Sequence, residues 1–492
     1  MSETLLPYKY EAAGKSTVLS SFAGLPVFLD FFRSLHFDRA LQEYLDGAEH
    51  DDCVWKPSQV VTSLLLLHLA GGDSVDDLRR FRDDPGLSKL LEKSYEAGLS
   101  VPALRRQRVL RSRQHAGSVP ASTTIFRFLK QDGAQGLELR AQGKAYIPPA
   151  GKTAEQLCAC NKRLISALCA NREYSCVTLD IDATLIETHK RSALYGYKGF
   201  AAYQPINVWW AEQRMMLYTE FRDGNVPAGY EMQSVVERAL SCLPKTDKPT
   251  FLRSDAAGYQ IDLLKFCDDN KVQFAIGCPV SQAFRKAVNE LPVTAWHRLD
   301  KQRQYAEVCF VPSSLATTKK KKYAFRYIAT REVLQKQCTL FAVPEPEYPF
   351  PVLEMNGCAY KVRALATNHN LSAPELIKWY HGRCGNSEEA HAILKNDLAG
   401  GVLPSDHVHA NANWWWLSVI AHNIHSAFKQ LCCDESLLKS RLKRIRFLVI
   451  NIAGQVVERS RSLFVRLNAS DGTYALLSGI RRAICGLRPC PG

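Results

Sequence analysis

The 492-residue chain reads as an α/β protein in which a mixed-sheet core is preceded by a helical region and interrupted by a β-rich segment. Three changes of texture carry that reading. Residues 1–172 are almost wholly helical in pattern, short strand-like runs begin at Glu173, and helical periodicity resumes at Ser372. The apolar fraction of 46% is ordinary for a globular protein, whereas a net charge of +14 favours a polyanionic partner, nucleic acid before anionic membrane.

Other classes are set aside quickly. Met1-Ser-Glu-Thr carries no basic, then apolar, leader pattern, so a cytoplasmic protein is expected. The longest apolar run, Leu64–Leu67 with Leu69-Ala70, is broken by His68 and ended by Gly71-Gly72, far short of a membrane span. Sixteen cysteines without a leader read as reduced thiols, and Cys158-x-Cys160 and Cys432-Cys433 lack a second ligand pair for zinc.

In the helical region, Ser58 to Ala70 predicts an apolar helix stopped by Gly71-Gly72, and Ser74 to Arg82 an amphipathic one ending near Pro85. The arginines of 105–113 precede a short helix in 120–130, with Ser122 as cap and Ile125, Phe126 and Leu129 inward. Thr123, Arg127 and Lys130 stay outside, as in the recognition helix of a helix-turn-helix unit that meets DNA. A solvated basic linker helix is the plainer alternative.

The core opens with Val177-Thr-Leu-Asp-Ile-Asp-Ala-Thr184. Val177, Leu179 and Ile181 give one apolar face, and Asp180 and Asp182 lie on the other. Buried carboxylates are costly without a cation, a proton or water, although a solvated strand end would need none of these. Strands 205–210 and 215–222 follow as a hairpin, then a helix around 231–243. Strand 250–255 ends in Asp255, helix 259–269 follows, and strand 272–277 closes the series. Hairpin order followed by helix–strand alternation is the pattern of an RNase H-like mixed-sheet core.

These runs divide the chain into a helical DNA-binding region (1–172), a core in two parts (173–285 and 370–431), a β-rich insertion (286–369) and a C-terminal region (432–492). Within the insertion, strands are expected at 305–311, 323–331, 340–343 and 360–367, with the lysine run 319–322 between two of them. Ser372-Ala-Pro-Glu375 is a capping box, and 413–431 predicts a helix whose His422 and His425 suit the core better than a metal. The tail carries strand-like runs at 447–457 and 462–467 and a basic, surface-exposed end.

Two families compete for the strand motif. Asp180-x-Asp182-x-Thr184 resembles haloacid dehalogenase-like phosphatases, with Asp180 as nucleophile, but the hairpin that follows and the helical setting of Asp268-Asp269 do not fit. The second resemblance spans most of the chain. Asp182-Ala-Thr184, the segment Tyr195 to Pro205, Arg222-Asp-Gly-Asn225, Arg253-Ser-Asp255 and Tyr380-x-x-Arg383 with Glu388 and Lys395 appear in the order of a bacterial DDE transposase. Specifically, they resemble the branch with a β-strand insertion, the IS-four-like group and its IS-thirteen-eighty-like subgroup. Four residues separate Arg383 from Glu388 where the family has three, while the six before Lys395 fit. Glu389, three after Asn386, is suited to a capping box.

That resemblance implies DNA strand cleavage and strand transfer by Asp182, Asp255 and Glu388 holding two Mg²⁺ ions, for which Mn²⁺ can substitute. It casts Tyr380, Arg383, Lys395 and Arg253 as phosphate contacts and Trp296 as a stacking platform for a flipped base, although a lone tryptophan of a β-rich segment is more often core. The implied partners are duplex DNA, as terminal inverted repeats and target, and a second copy of the chain on paired ends. A DNA-binding repressor, or a decayed enzyme without cleavage, is the alternative, and the implied setting is the bacterial nucleoid.

Overall fold

The computed structural model describes residues 18–47, 50, 53–97, 99–316, 323, 325–334, 348, 352–355, 358–460 and 462–489. The lysine run 319–322 and the expected strand 340–343 lie outside them.

Seven helices of eight residues or more form the described N-terminal region: α1 (Val27–Ser34), α2 (Phe37–Leu45), α3 (Pro57–Ala70), α4 (Pro85–Glu96), α5 (Val101–Arg113), α6 (Ser122–Leu129) and α7 (Lys152–Asn171). Leu64 to Leu67 of α3 are all buried, so this helix is apolar all round, and Gly71 at φ 97° ends it in the left-handed conformation that suits glycine. Pro85 opens α4 instead of merely ending a helix. Asp84 accepts from Leu87 N–H at 2.7 Å, and the first turn needs no donor from proline.

α6 forms as expected, with two differences. Ile125, Phe128 and Leu129 are buried, while Phe126 is only half-buried. Ala121 takes the cap position, and the Ser122 hydroxyl donates to Asp76 at 2.8 Å. α5 buries none of its residues, and α6 packs instead on α3 and on a long helix near the C-terminus, described below.

The central sheet begins with β1 (Val177–Ala183), β2 (Ile206–Trp210), β3 (Met215–Glu220), β4 (Thr250–Ser254) and β5 (Gln273–Cys278), in spatial order β3-β2-β1-β4-β5. The first three are antiparallel, and β4 and β5 run parallel to β1. Helices α8 (Met232–Cys242) and α9 (Ile261–Asp269) make the crossovers. Helix α10 (Gln282–Asn289) straddles residue 286, where strand texture was expected to begin, and is anchored by buried Phe284 and Val288.

Strands β6 (Arg303–Val308), β7 (Arg326–Val333), β8 (Val352–Met355) and β9 (Cys358–Thr367) follow. β9 pairs antiparallel with β5, from Ala364 opposite Cys278 to Thr367 opposite Ala275. These strands therefore extend the same sheet. Helices α11 (Ala373–His381) and α12 (Asn386–Ala392) come next, and α12 runs on into a wide π-helical turn, Ile393–Asp397.

Helix α13 (Val408–Cys432) is the hub: it packs on α3, α6, α7 and β3, and Trp414, Trp415 and Trp416 are buried in it. His422 and His425 are buried there too, and burial pushes His422 down to about 4. In the tail, the expected strand 462–467 forms as Ser462–Leu467, but the run expected at 447–457 does not. Arg446–Ile450 is a π-helical turn, and the strand is Gly454–Arg459, which pairs with Ser462–Leu467 on one side and Leu19–Ser20 on the other. Helix α14 (Asp471–Cys485) buries Leu477, Ile480 and Ile484, packing on α1 and α13. Among the described residues, no helix is long and apolar enough to cross a membrane.

Candidate active site

The register of β1 against β4 pairs Asp180 with Arg253 and Ile181 with Ser254. One step further along both strands brings Asp182 beside Asp255. Both carboxylates open on a cleft of about 680 Å³, whose rim includes Tyr195, Tyr197 and Asn225. Asp255 caps the short turn Ala256–Gly258 by accepting from Ala257 N–H at 3.0 Å. Gly277 on β5 makes room for that turn: a Cβ there would stand 2.9 Å from Ala256 N and 3.2 Å from the Tyr380 hydroxyl.

Asp180 is buried, and Arg253 grips both its oxygens at 2.6 and 2.8 Å. The same guanidinium donates to the Trp379 carbonyl at 2.6 Å. Arg253, expected to touch DNA, is instead a buried brace that ties α11 to β1 and β4. Its donors face inward because the strand register sets it directly beside Asp180.

Glu388 lies in the first turn of α12. Its Oε2 accepts from Gly385 N–H at 2.8 Å and from the Ser387 hydroxyl at 3.2 Å. The helix starts from Gly385 at φ 88°, so the capping-box position falls on Glu388 and not, as expected, on Glu389. Glu388 is nevertheless the one whose charge acts on Asp182, whereas that of Glu389 acts on Lys429.

Burial raises Asp182 to about 6, with Arg383 pulling it down and Asp255 and Glu388 pushing it up. For Glu388, burial is outweighed by backbone N–H groups, Ser387 and Arg383, which together hold it below its ordinary value. Arg383 reaches Tyr380, Asp182 and Asp255 electrostatically, and its Nε is buried without a hydrogen-bond partner. Tyr380 is raised by burial first, with Asp255 adding to the shift. From the π-helical turn, Lys395 donates to the Leu185 carbonyl at 3.4 Å, just past β1, and burial followed by Lys198 lowers its pKa.

Other expected residues lie apart from this cluster. Thr123, Arg127 and Lys130 are exposed on α6. Trp296 is buried with the Arg331 guanidinium 4.1 Å from its ring centre, so the platform expected for a flipped base is already covered. Arg222, Asp223 and Asn225 hold the scaffold together. Arg222 donates to Glu220 and to the Tyr230 carbonyl, Asp223 takes two 2.6 Å bonds from Arg140, and Asn225 donates to the Ala141 and Lys144 carbonyls.

Two residues escaped the sequence reading. His391 lies one helical turn after Glu388, with its Nδ1 3.9 Å from Asp182 Oδ2, and Asn207 on β2 meets its other ring nitrogen at 3.1 Å. The three-residue step from Glu388 was the available signal. Burial lowers His391 to about 4, so its ring is neutral at pH 7.

Among the described residues, no three acidic, histidine or cysteine groups stand together as a ready-made metal cage. The donor chemistry does fit hard divalent ions. Asp182, Asp255 and Glu388 supply carboxylate oxygens, and the repulsion from Asp255 and Glu388 that adds to burial in raising Asp182 would be relieved by a cation.

A family model described as Transposase DDE domain group 1 matches residues 8–488. The chain belongs to the DDE transposases. The family works on DNA and in general uses divalent metal ions. No curated protein matches the chain. Among solved structures it is similar to a piggyBac transposase synaptic complex with hairpin DNA, at 9% identity and a TM-score of 0.40, over 94% of this chain and 81% of that one.

Proposed function

We propose that this transposase cuts the ends of an insertion sequence and joins their 3′-hydroxyls to target DNA, with Asp182, Asp255 and Glu388 holding two Mg²⁺ ions, or Mn²⁺ in their place. The observation that carries the reading is the convergence of these three charges at the ends of two parallel strands and the start of one helix. When bound, the ions supply an activated oxygen nucleophile and stabilise the leaving 3′-oxygen. Arg383, with a buried donor unspent, clamps the scissile phosphate, and Tyr380 and Lys395 flank it.

The strand order β3-β2-β1-β4-β5 supports an RNase H-like core formed by residues 173–285 and 370–431, with 286–369 as the insertion and 432–492 as a C-terminal region. Residues 1–172 bind the terminal repeats, with Thr123, Arg127 and Lys130 exposed for that contact. Two copies act on paired ends. The IS-four-like group and its IS-thirteen-eighty-like subgroup, and a place at the bacterial nucleoid, rest on the sequence motifs.

One observation favours a non-cutting DNA-binding repressor or a decayed enzyme: the Glu388 carboxylate is turned back to cap its own helix. Cleavage of a labelled duplex bearing the element's end, with Mg²⁺ or Mn²⁺, decides between them. Nicking by wild type, with Asp182→Ala, Asp255→Ala and Glu388→Ala binding DNA but not cutting, is expected. Binding without cutting under either metal hands the case to the repressor. If Glu389→Ala fails to cut while Glu388→Ala still cuts, the third carboxylate alone is misassigned.

A further inference from the structure

A line of buried polar groups runs from the hub helix to the carboxylate cluster. The Trp415 indole N–H donates to Thr219 Oγ1 at 2.8 Å, and Thr219 Oγ1 lies 2.7 Å from Asn207 Oδ1. Asn207 Nδ2 lies 3.1 Å from His391 Nε2, and His391 Nδ1 faces Asp182 Oδ2 at 3.9 Å. Trp415, Thr219, Asn207 and His391 are all buried, so water is poorly placed to rearrange this line.

The chemistry of the first member gives the line a direction. An indole can only donate, so the Thr219 oxygen accepts there and has one proton left to place. Asn207 Oδ1 at 2.7 Å is a far better acceptor for it than the Ile206 carbonyl at 3.3 Å. The Asn207 oxygen is then used, and its NH₂ points at His391 Nε2, which must be the bare nitrogen. The ring proton sits on Nδ1, the atom that faces a carboxylate oxygen. Both ends of the line demand the same orientation.

We propose that His391 is a positioning residue whose Nδ1–H, set by the Trp415–Thr219–Asn207 line, orients the Asp182 carboxylate for metal binding. The proposal rests on the two-metal reading above. A separation of 3.9 Å is longer than a hydrogen bond, and such contacts commonly tighten only when a site is loaded. Partners of this kind, which orient a ligand without touching the metal, typically change affinity by roughly 10–100-fold when removed.

The test is Mn²⁺ titration of the full chain by electron paramagnetic resonance. His391→Gln keeps an amide near the Nε2 position and leaves nothing at Nδ1, whereas His391→Asn keeps a donor near Nδ1. Gln is expected to weaken Mn²⁺ binding about tenfold or more, and Asn by less than about threefold. Thr219→Val, two strands over from Asp182 and close in shape, is expected to weaken it by a smaller factor if its melting temperature shows a folded chain. Equal Mn²⁺ affinity for His391→Gln and wild type, or an Asn variant as weak as Gln, overturns the proposal. Asp182→Ala serves as the control. If it too binds like wild type, the metal-site reading has failed, whereas its loss beside an unchanged Gln variant rejects His391 alone. Nitrogen NMR of histidine-labelled protein, with His391 assigned by its disappearance in the Gln variant, gives a readout independent of metal. Protonated Nδ1 supports the line as drawn, and protonated Nε2 overturns it.

Discussion

On one face of β1 and β4, two successive rows each start from an aspartate and end in different electrical states. In the inner row Asp180 lies beside Arg253 and is neutralised by two short hydrogen bonds. In the outer row Asp182 lies beside Asp255, with Glu388 adding a third negative charge. The inner row holds the fold together and has nothing left to give a ligand. The outer row carries an excess of negative charge that Arg383 only partly offsets, and this costs stability unless a cation is present. Two residues of sequence separate a brace from a site.

The inner row should break most expensively. Arg253→Ala leaves a buried carboxylate unpaired and is expected to cost about 3–5 kcal/mol in denaturant unfolding. Asp180→Leu combined with Arg253→Met should recover more than half of that loss. A cost below about 1 kcal/mol for Arg253→Ala would mean that the pair is no brace.

The outer row should respond with the opposite sign. Folding raises Asp182 to about 6, so the folded state holds a proton that the unfolded chain gives up near its ordinary value of about 3.9. This group's contribution to stability is complete below about pH 4 and is lost as pH rises through about 6. Asp182→Asn escapes that loss. It is therefore expected to be more stable than wild type at pH 8, by on the order of 2–3 kcal/mol, with the gap closed at pH 4. Mg²⁺ should raise the wild-type melting temperature and leave that of the variant alone. An Asn variant less stable than wild type at pH 8 would show that the outer row is also structural.

Gly277 sharpens the comparison geometrically. Gly277→Ala places a Cβ 2.9 Å from Ala256 N, so the Asp255 turn must shift. Overpacking of this kind costs about 1–3 kcal/mol. Cleavage is expected to fall by about tenfold or more, out of proportion to a modest loss of melting temperature, because the displaced group is a carboxylate of the outer row. The smallest effect lies far from both rows. Arg127→Ala and Lys130→Ala should each flatten the salt dependence of DNA binding by about one unit and leave the cutting of bound DNA unchanged.

Much of this was legible in the chain itself, for physical reasons. Gly71 stops α3 because a left-handed cap is a local requirement, and β1 to β5 announce themselves as short apolar runs bounded by turns, with alternation clear in Val177–Asp182. The contrast between Asp180 and Asp182 was not legible, because it depends on the partner that the β4 register supplies. The cap on α12 was misjudged by a single position: Gly385 adopts the left-handed start, and that moves the box from Glu389 to Glu388. The Arg140–Asp223 bond, the pairing of β9 with β5 and the burial of α14 each join residues far apart in sequence, where no periodicity carries a signal. Trp296 proves to be the core tryptophan that was the commoner reading, but nothing near it in sequence reveals that Arg331 covers its ring.

The pairing of Leu19–Ser20 with Gly454–Arg459, and the seating of α14 on α1, have a consequence during synthesis. Residues near 20 wait for partners more than 430 positions later, a delay of roughly 20 s or more at about 5–20 residues per second. The apolar faces of α1 and α3 wait for α13, and that of α1 for α14 as well, both of which are made late. The strand Leu19–Ser20 and helix α1 therefore complete their packing only when Gly454–Arg459 and α14 have been made.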